Sequence, residues 1–181
     1  MKWRKPRRIF VNSMSDLFQD GVARDFIARV WSTMEQCPQH TFQILTKRPG
    51  NMRALLADRA FKVLPNVWLG TSVEDAEAAR RIAHLRETPA AVRFISFEPL
   101  VADVGRINLH DIHWAIVGGE SGPGARLMKE EWVDNIRAQC RTQDVAFFFK
   151  QWGGTNKKRA GRLYKGQTWD EYPDVRIQTP A

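Results

Sequence analysis

Six short runs of the chain are apolar on nearly every residue: "RIFVN" (8–12), "FQILT" (42–46), "VWLGT" (67–71), "VRFIS" (92–96), "WAIVG" (114–118) and "AFFFK" (146–150). Strands buried on both faces read this way, because neither their odd nor their even positions meet water. Between most of them the period becomes helical. Val22, Phe26, Val30 and Met34 recur every four residues, and Met52, Leu55 and Leu56 form a second stripe. Ala76, Ala79, Ile82 and Ala83 form a third, and Trp132, Val133 and Ile136 a fourth. Each predicts a helix with one buried face. Asp20 is placed to cap the first helix, Pro49 suits a first turn, and "SVED" (Ser72 to Asp75) has the spacing of a capping box.

Two stretches break the rhythm. "EPLVADVGRINLHDIH" (98–113) has no helical stripe and predicts an irregular connection. Beyond Gln151 the chain turns Gly-rich and charged, which predicts a β/α domain over 1–152 and a basic, mostly irregular tail over 153–181, with a small hairpin at "RLYKGQTW".

Strand alternating with helix means an α/β fold of parallel strands joined by right-handed crossovers. Two architectures satisfy that: a partial or complete β/α barrel, or an open doubly wound sheet. Both place function at the carboxyl ends of the strands. Those ends carry Asn12 and Ser13, Lys47, Glu74, Glu98, the run Gly118, Gly119, Glu120 and Ser121, and Lys150. In a parallel sheet these groups share one rim, carboxylates facing cations, which is the composition of a ligand site.

The run "GGESGPG" lacks the GxGxxG spacing of a dinucleotide turn and is not followed by the Gly-Lys-Ser/Thr of a P-loop. Adjacent glycines would still let a ligand approach the backbone, with Glu120 accepting hydrogen bonds from a ribose or an amine. The competing reading is a tight turn with a solvated glutamate. Glu98 is a rim carboxylate that would bind a substrate or pair with Lys47, Lys150 or Arg93. His110 and His113 precede a strand, at the end away from the rim, so a metal role is not expected of them. Cys37 and Cys140 have no zinc or disulfide spacing, and Cys140 continues the helical series of Trp132 and Ile136 as a buried small residue.

Charge changes the picture only at the termini. The net charge is +8, with 43% hydrophobic and 27% charged residues. Five cations crowd residues 1–8 and six, against three acids, lie in 156–181, while the stretch between is balanced. Such ends suit loose binding of nucleic acid phosphates, or simple solvation. No apolar run reaches the roughly 18 residues of a membrane span, and "MKWRKPRRIFVNSMSDLF" is too polar for a signal peptide. A cytoplasmic protein with no membrane partner is expected.

Taken together, "IFVNSMSDLF", "FQILTKRP", "NVWLGTSVE", "RFISFEPL", "IVGGESGPGAR" and "FFFKQWGG" resemble the successive blocks of a phage- and prophage-associated family of largely uncharacterised proteins with a three-cysteine motif. That family is similar to radical SAM enzymes. The resemblance implies a radical-SAM-like partial barrel in which Gly118, Gly119, Glu120 and Ser121 approach S-adenosylmethionine. Asn12, Ser13, Lys47, Glu74, Glu98 and Lys150 would line the same cavity, facing a small-molecule or macromolecular substrate. It also implies a [4Fe-4S] cluster on three cysteines in a segment upstream of "RIFVN". This sequence has no such cysteines, so the expectation is a truncated carboxyl-terminal part of the enzyme, without the family's first strand, holding no cofactor and inactive as a radical enzyme. The alternative is a non-catalytic module that binds nucleic acid or a protein through its basic termini.

Overall fold

A computed structural model describes residues 3–156 and 160–174. Its six strands are β1 (Arg8–Val11), β2 (Thr41–Thr46), β3 (Val67–Ser72), β4 (Val92–Phe97), β5 (Trp114–Gly118) and β6 (Ala146–Gln151). All are parallel, and they lie in the sheet in the order in which they occur in the chain. A doubly wound sheet reverses direction at a switch point; this one never does. Successive crossovers of one hand keep the helices on one face, and the sheet curls away from them as a half barrel. The helices are α1 (Arg24–Glu35), α2 (Pro49–Leu56), α3 (Arg81–Arg86) and α4 (Glu130–Thr142).

Period-2 alternation sorts the side chains. Phe42, Ile44, Leu69, Ile95, Val117 and Phe149 join the helix residues Trp31, Met52, Leu85 and Ile136 in the main core. Trp68, Val92, Phe94 and Trp114, with Leu45, Ile116 and Phe148 against them, form a second cluster on the concave face. Gly70 belongs to that face: a Cβ there would stand 2.5 Å from the Phe94 ring, so glycine is what lets the ring lie across β3.

Local expectations were met unevenly. Pro49 opens α2. Asp20 does not cap α1, whose N-cap is Ala23; its carboxylate instead accepts from Asn51 at 2.9 Å. The buried stripe of α1 is Ile27, Trp31 and Met34, and Phe26 is exposed. Trp31 decides that rotation, because its ring packs edge-on to Phe61 and its Nε1 donates to the Lys62 carbonyl at 3.0 Å. Asp75, not Ser72, caps the turn before α3, accepting from Ala78 N–H at 2.8 Å. The connection over 98–113 forms no helix; it buries Leu100, Val104, Ile107, Leu109 and Ile112. Side-chain amides of α4 and its C-cap replace the missing ladder, with Gln139 and Gln143 accepting from the Ile107 and Leu109 N–H groups, each at 2.8 Å.

The described part of the tail is integral to the fold. Tyr164 and Gln167 exchange backbone hydrogen bonds around Lys165 and Gly166, both at positive φ, a two-residue hairpin where one was expected. The chain then runs antiparallel along the outer edge of β6: Phe149 N–H donates to the Trp169 carbonyl and Glu171 N–H to that of Phe147. Tyr172 crosses onto the concave face, with its ring 5.0 Å from Trp114 and the Arg8 guanidinium 4.2 Å over it. At the other end of the sheet, no described residue pairs with the outer edge of β1.

Candidate ligand site at the strand carboxyl ends

The expected rim residues do share the carboxyl end of the sheet, but they divide into two ion-paired groups. Over β4 to β6, the Lys150 ammonium donates to Glu98 Oε2 at 2.7 Å. Gln151 Nε2 reaches Ser121 Oγ at 2.8 Å and Glu98 Oε1 at 3.4 Å. Gly118 makes room for this group, since a Cβ there would lie 3.2 Å from the Glu98 carboxyl. The four polar side chains line an open cavity of about 350 Å³ with Pro99, Gly119 and Glu120, and no aromatic ring is among its walls.

Over β1 to β3 the groups satisfy one another. Glu74 is ion-paired to Lys47 and to Arg81, the latter at 2.7 Å. Burial pushes the Glu74 pKa up, but the hydrogen bonds and charges of Lys47 and Arg81 outweigh it and hold the carboxyl below its usual range. Asp16 accepts from the Phe18 N–H, the Thr46 hydroxyl, the Lys47 N–H and the Arg48 guanidinium. It thereby ties the loop after β1 to the start of α2. Asn12 ends β1 at φ 59°, and Ser13 follows it into solvent.

Two contacts within "GGESGPG" bear on what was expected of it. Glu120 is clasped by Arg126, whose Nε and Nη2 donate to its two oxygens at 2.8 and 2.9 Å and whose backbone N–H adds a third bond at 2.9 Å. That clasp lowers its pKa to about 2. The carboxylate therefore closes its own loop. Gly119 permits a close approach by protein: a Cβ there would sit 1.9 Å from the Trp152 carbonyl oxygen. Arg126 and Arg81 are the residues sequence reasoning missed. Arg126 stands six positions after Glu120, and a glycine-bounded loop brings such a pair together; Arg81 carried no comparable signal.

Elsewhere His40, His113 and the two cysteines are built into the protein interior, while His84 and His110 are exposed. His113 Nδ1 accepts from the Arg93 N–H at 3.0 Å, and burial first, then the Arg93 charge, holds its pKa down. Cys37 and Cys140 are buried, and burial pushes the Cys140 thiol up to about 12, where it is inert. No group of three or more His, Cys, Asp or Glu among the described residues has the arrangement of a metal site. Nor is any described helix long and apolar enough to cross a membrane. Of the basic termini, Arg7 lies 4.8 Å over the Trp3 ring, while residues 157–159 and 175–181 fall outside the described residues.

One family model, that of a protein of unknown function (DUF5131), matches residues 1–173, nearly the whole chain. The chain belongs to the DUF5131 family. No curated protein and no solved structure matches it. In this DUF5131 member the Glu98–Lys150 mouth is one of several open cavities: another, of about 390 Å³, borders Lys47 and Arg48, and two larger ones are bordered by α4.

Proposed function

We propose that this chain is the ligand-binding half barrel of a radical-SAM-like, phage-associated protein, and that its mouth takes a small zwitterion, such as an aminocarboxylate. The Glu98–Lys150 pair over an open cavity carries this reading. An incoming carboxylate would go to Lys150 and an ammonium to Glu98, exchanging one ion pair for two while Gln151 and Ser121 supply neutral hydrogen bonds. Glu98 is mostly shielded, which strengthens its pairing relative to water.

The residues present do not fit an iron–sulfur cluster. Such clusters need clustered thiolates, and the two cysteines here are buried in the core, one beyond α1 and one on α4. No step through such a centre is derived for this chain. S-adenosylmethionine fits in part: its aminocarboxylate suits Glu98 and Lys150, but the cavity has no ring to stack an adenine.

Calorimetric titration separates these pieces. Methionine and S-adenosylmethionine should both give heat, adenosine none, and Lys150→Met or Glu98→Gln should weaken binding at least ten-fold, the loss of one charge-assisted bond. Equal affinity in the variants, or binding of adenosine alone, defeats the reading.

A further inference from the structure

We infer that the Glu98–Lys150 mouth selects aminocarboxylates with an uncharged, apolar side chain, which lies down the concave face of the sheet over Ile116 and beside Phe148; this rests on the zwitterion reading above. Register puts the two parts in line. Ser96, Ile116 and Phe148 stand side by side on β4, β5 and β6. Glu98, Gly118 and Lys150 follow each of them two residues later, so they rise on the same face. A bulge opposite Gly118 brings Lys150 and Gln151 together to that level, which is why both reach Glu98. The ion pair thus stands about 6.6 Å above Ile116, two residues of a parallel strand. Glycine at 118 means that β5 itself puts no side chain between them.

What lies at that depth is apolar and still partly open. On the other face of the same strands Ala115, Val117, Phe147 and Phe149 are at most 2% exposed and sealed in the main core. Ile116 and Phe148 are only half-buried, packed on the concave cluster of Phe94 and Trp114, which is itself closed to water. Apolar surface remains in water on one face of β5 and β6, directly below the ion pair, and covering it is favourable. All of these residues belong to β4, β5 and β6, at the opposite side of the sheet from β1.

Charge and reach set the class of side chain. Ser96, Ile116 and Phe148 offer an ion no partner, and the Arg162 guanidinium, 5.3 Å over the Phe148 ring, is already paired with Asp170. A charged arm laid on this strip gives up water without recompense. A methyl group held at the ion pair stops short of Ile116, whereas a butyl chain covers the distance.

The test is calorimetric titration of the full chain with glycine, alanine, norvaline and norleucine, and with glutamate and lysine as charged arms of similar length. Affinity should rise along the apolar series by about three-fold per methylene, and the two charged amino acids should bind no better than alanine. Ile116→Thr sets a hydroxyl on the strip and should cut the norleucine-to-glycine affinity ratio by about five-fold. That ratio is read within each protein, and the wild-type series stands alone if the variant folds poorly. A flat series, tighter binding of glutamate or lysine than of norleucine, or an unchanged ratio in Ile116→Thr overturns the inference and leaves the zwitterion reading standing. Failure of every aminocarboxylate to bind overturns both.

Discussion

The two edges of the sheet are built to opposite rules. At β6 the chain returns on itself, pairs along the outer edge and anchors there with Tyr164, which is fully buried and hydrogen-bonded to Asp134, and with Trp169 beneath the Arg137 guanidinium at 3.8 Å. At β1 a four-residue strand, two residues shorter than β6, presents open backbone groups and a half-exposed Phe10. The same parallel ladder runs through both, so the contrast does not come from strand chemistry. It comes from whether a later segment buries enough apolar surface to be held against the edge. Stability is concentrated where the tail docks, and the edge of β1 lacks such a cover among the described residues.

The largest expected effect breaks the buttress. Tyr164→Ala removes a buried aromatic ring and its bond to Asp134, and should cost roughly 3–5 kcal/mol with a matching fall in the urea midpoint. Proteolysis should then begin in residues 160–174. Phe10→Ala, an aromatic truncation of similar size at the bare edge, should cost only about 1 kcal/mol because the ring is half in water already. Equal losses at the two sites would erase the distinction between the edges.

Gly119→Ala falls between them. Its Cβ would meet the Trp152 carbonyl, and Gly153 in turn meets the Glu120 carbonyl at 2.2 Å from its own would-be Cβ. The loops after β5 and β6 are therefore packed backbone to backbone, and prying them apart should cost about 1–3 kcal/mol by thermal melt. It should also weaken ligand binding at the Glu98–Lys150 mouth, which the same two loops frame. A substitution with no effect on the melt would return Gly119 to a ligand-facing role.

What could be read in advance follows the same division. Every strand was visible as an apolar run, although only β3, β4 and β5 are buried on both faces while β1, β2 and β6 keep half-buried or exposed positions; the start of α2 was visible because proline at a first turn is a local preference. Half barrel against doubly wound sheet was settled only by strand order, which periodicity does not encode. The docking of Trp169–Glu171 on β6 was hidden because it consists of single bridges with no repeat. Glu120 and Gly119 read equally well as ligand groups, because a strand-end loop rich in glycine serves close packing and ligand approach alike. Their contacts with Arg126 and Trp152 come only from the fold.

The smallest effect extends the comparison to the mouth loops. The loop after β1 leaves Met14 fully in solvent, whereas the loop after β5 is closed by Glu120 and Arg126. The bonds from Arg126, its side chain first and then its backbone N–H, depress the Glu120 pKa to about 2 in the folded state. A depressed carboxylate adds stability that is complete above its ordinary pKa of 4.5 and is lost as pH falls through that value toward 2. Urea midpoints of the wild type should therefore drop more steeply between pH 5 and about 2 than those of Glu120→Gln. Because the pair is open to water, 1 M salt should narrow the gap, with a Debye length of only about 3 Å. Parallel acid profiles for the two proteins would mean that the clasp does not hold the loop, and the β5 loop would then be as free as the one beside the bare edge.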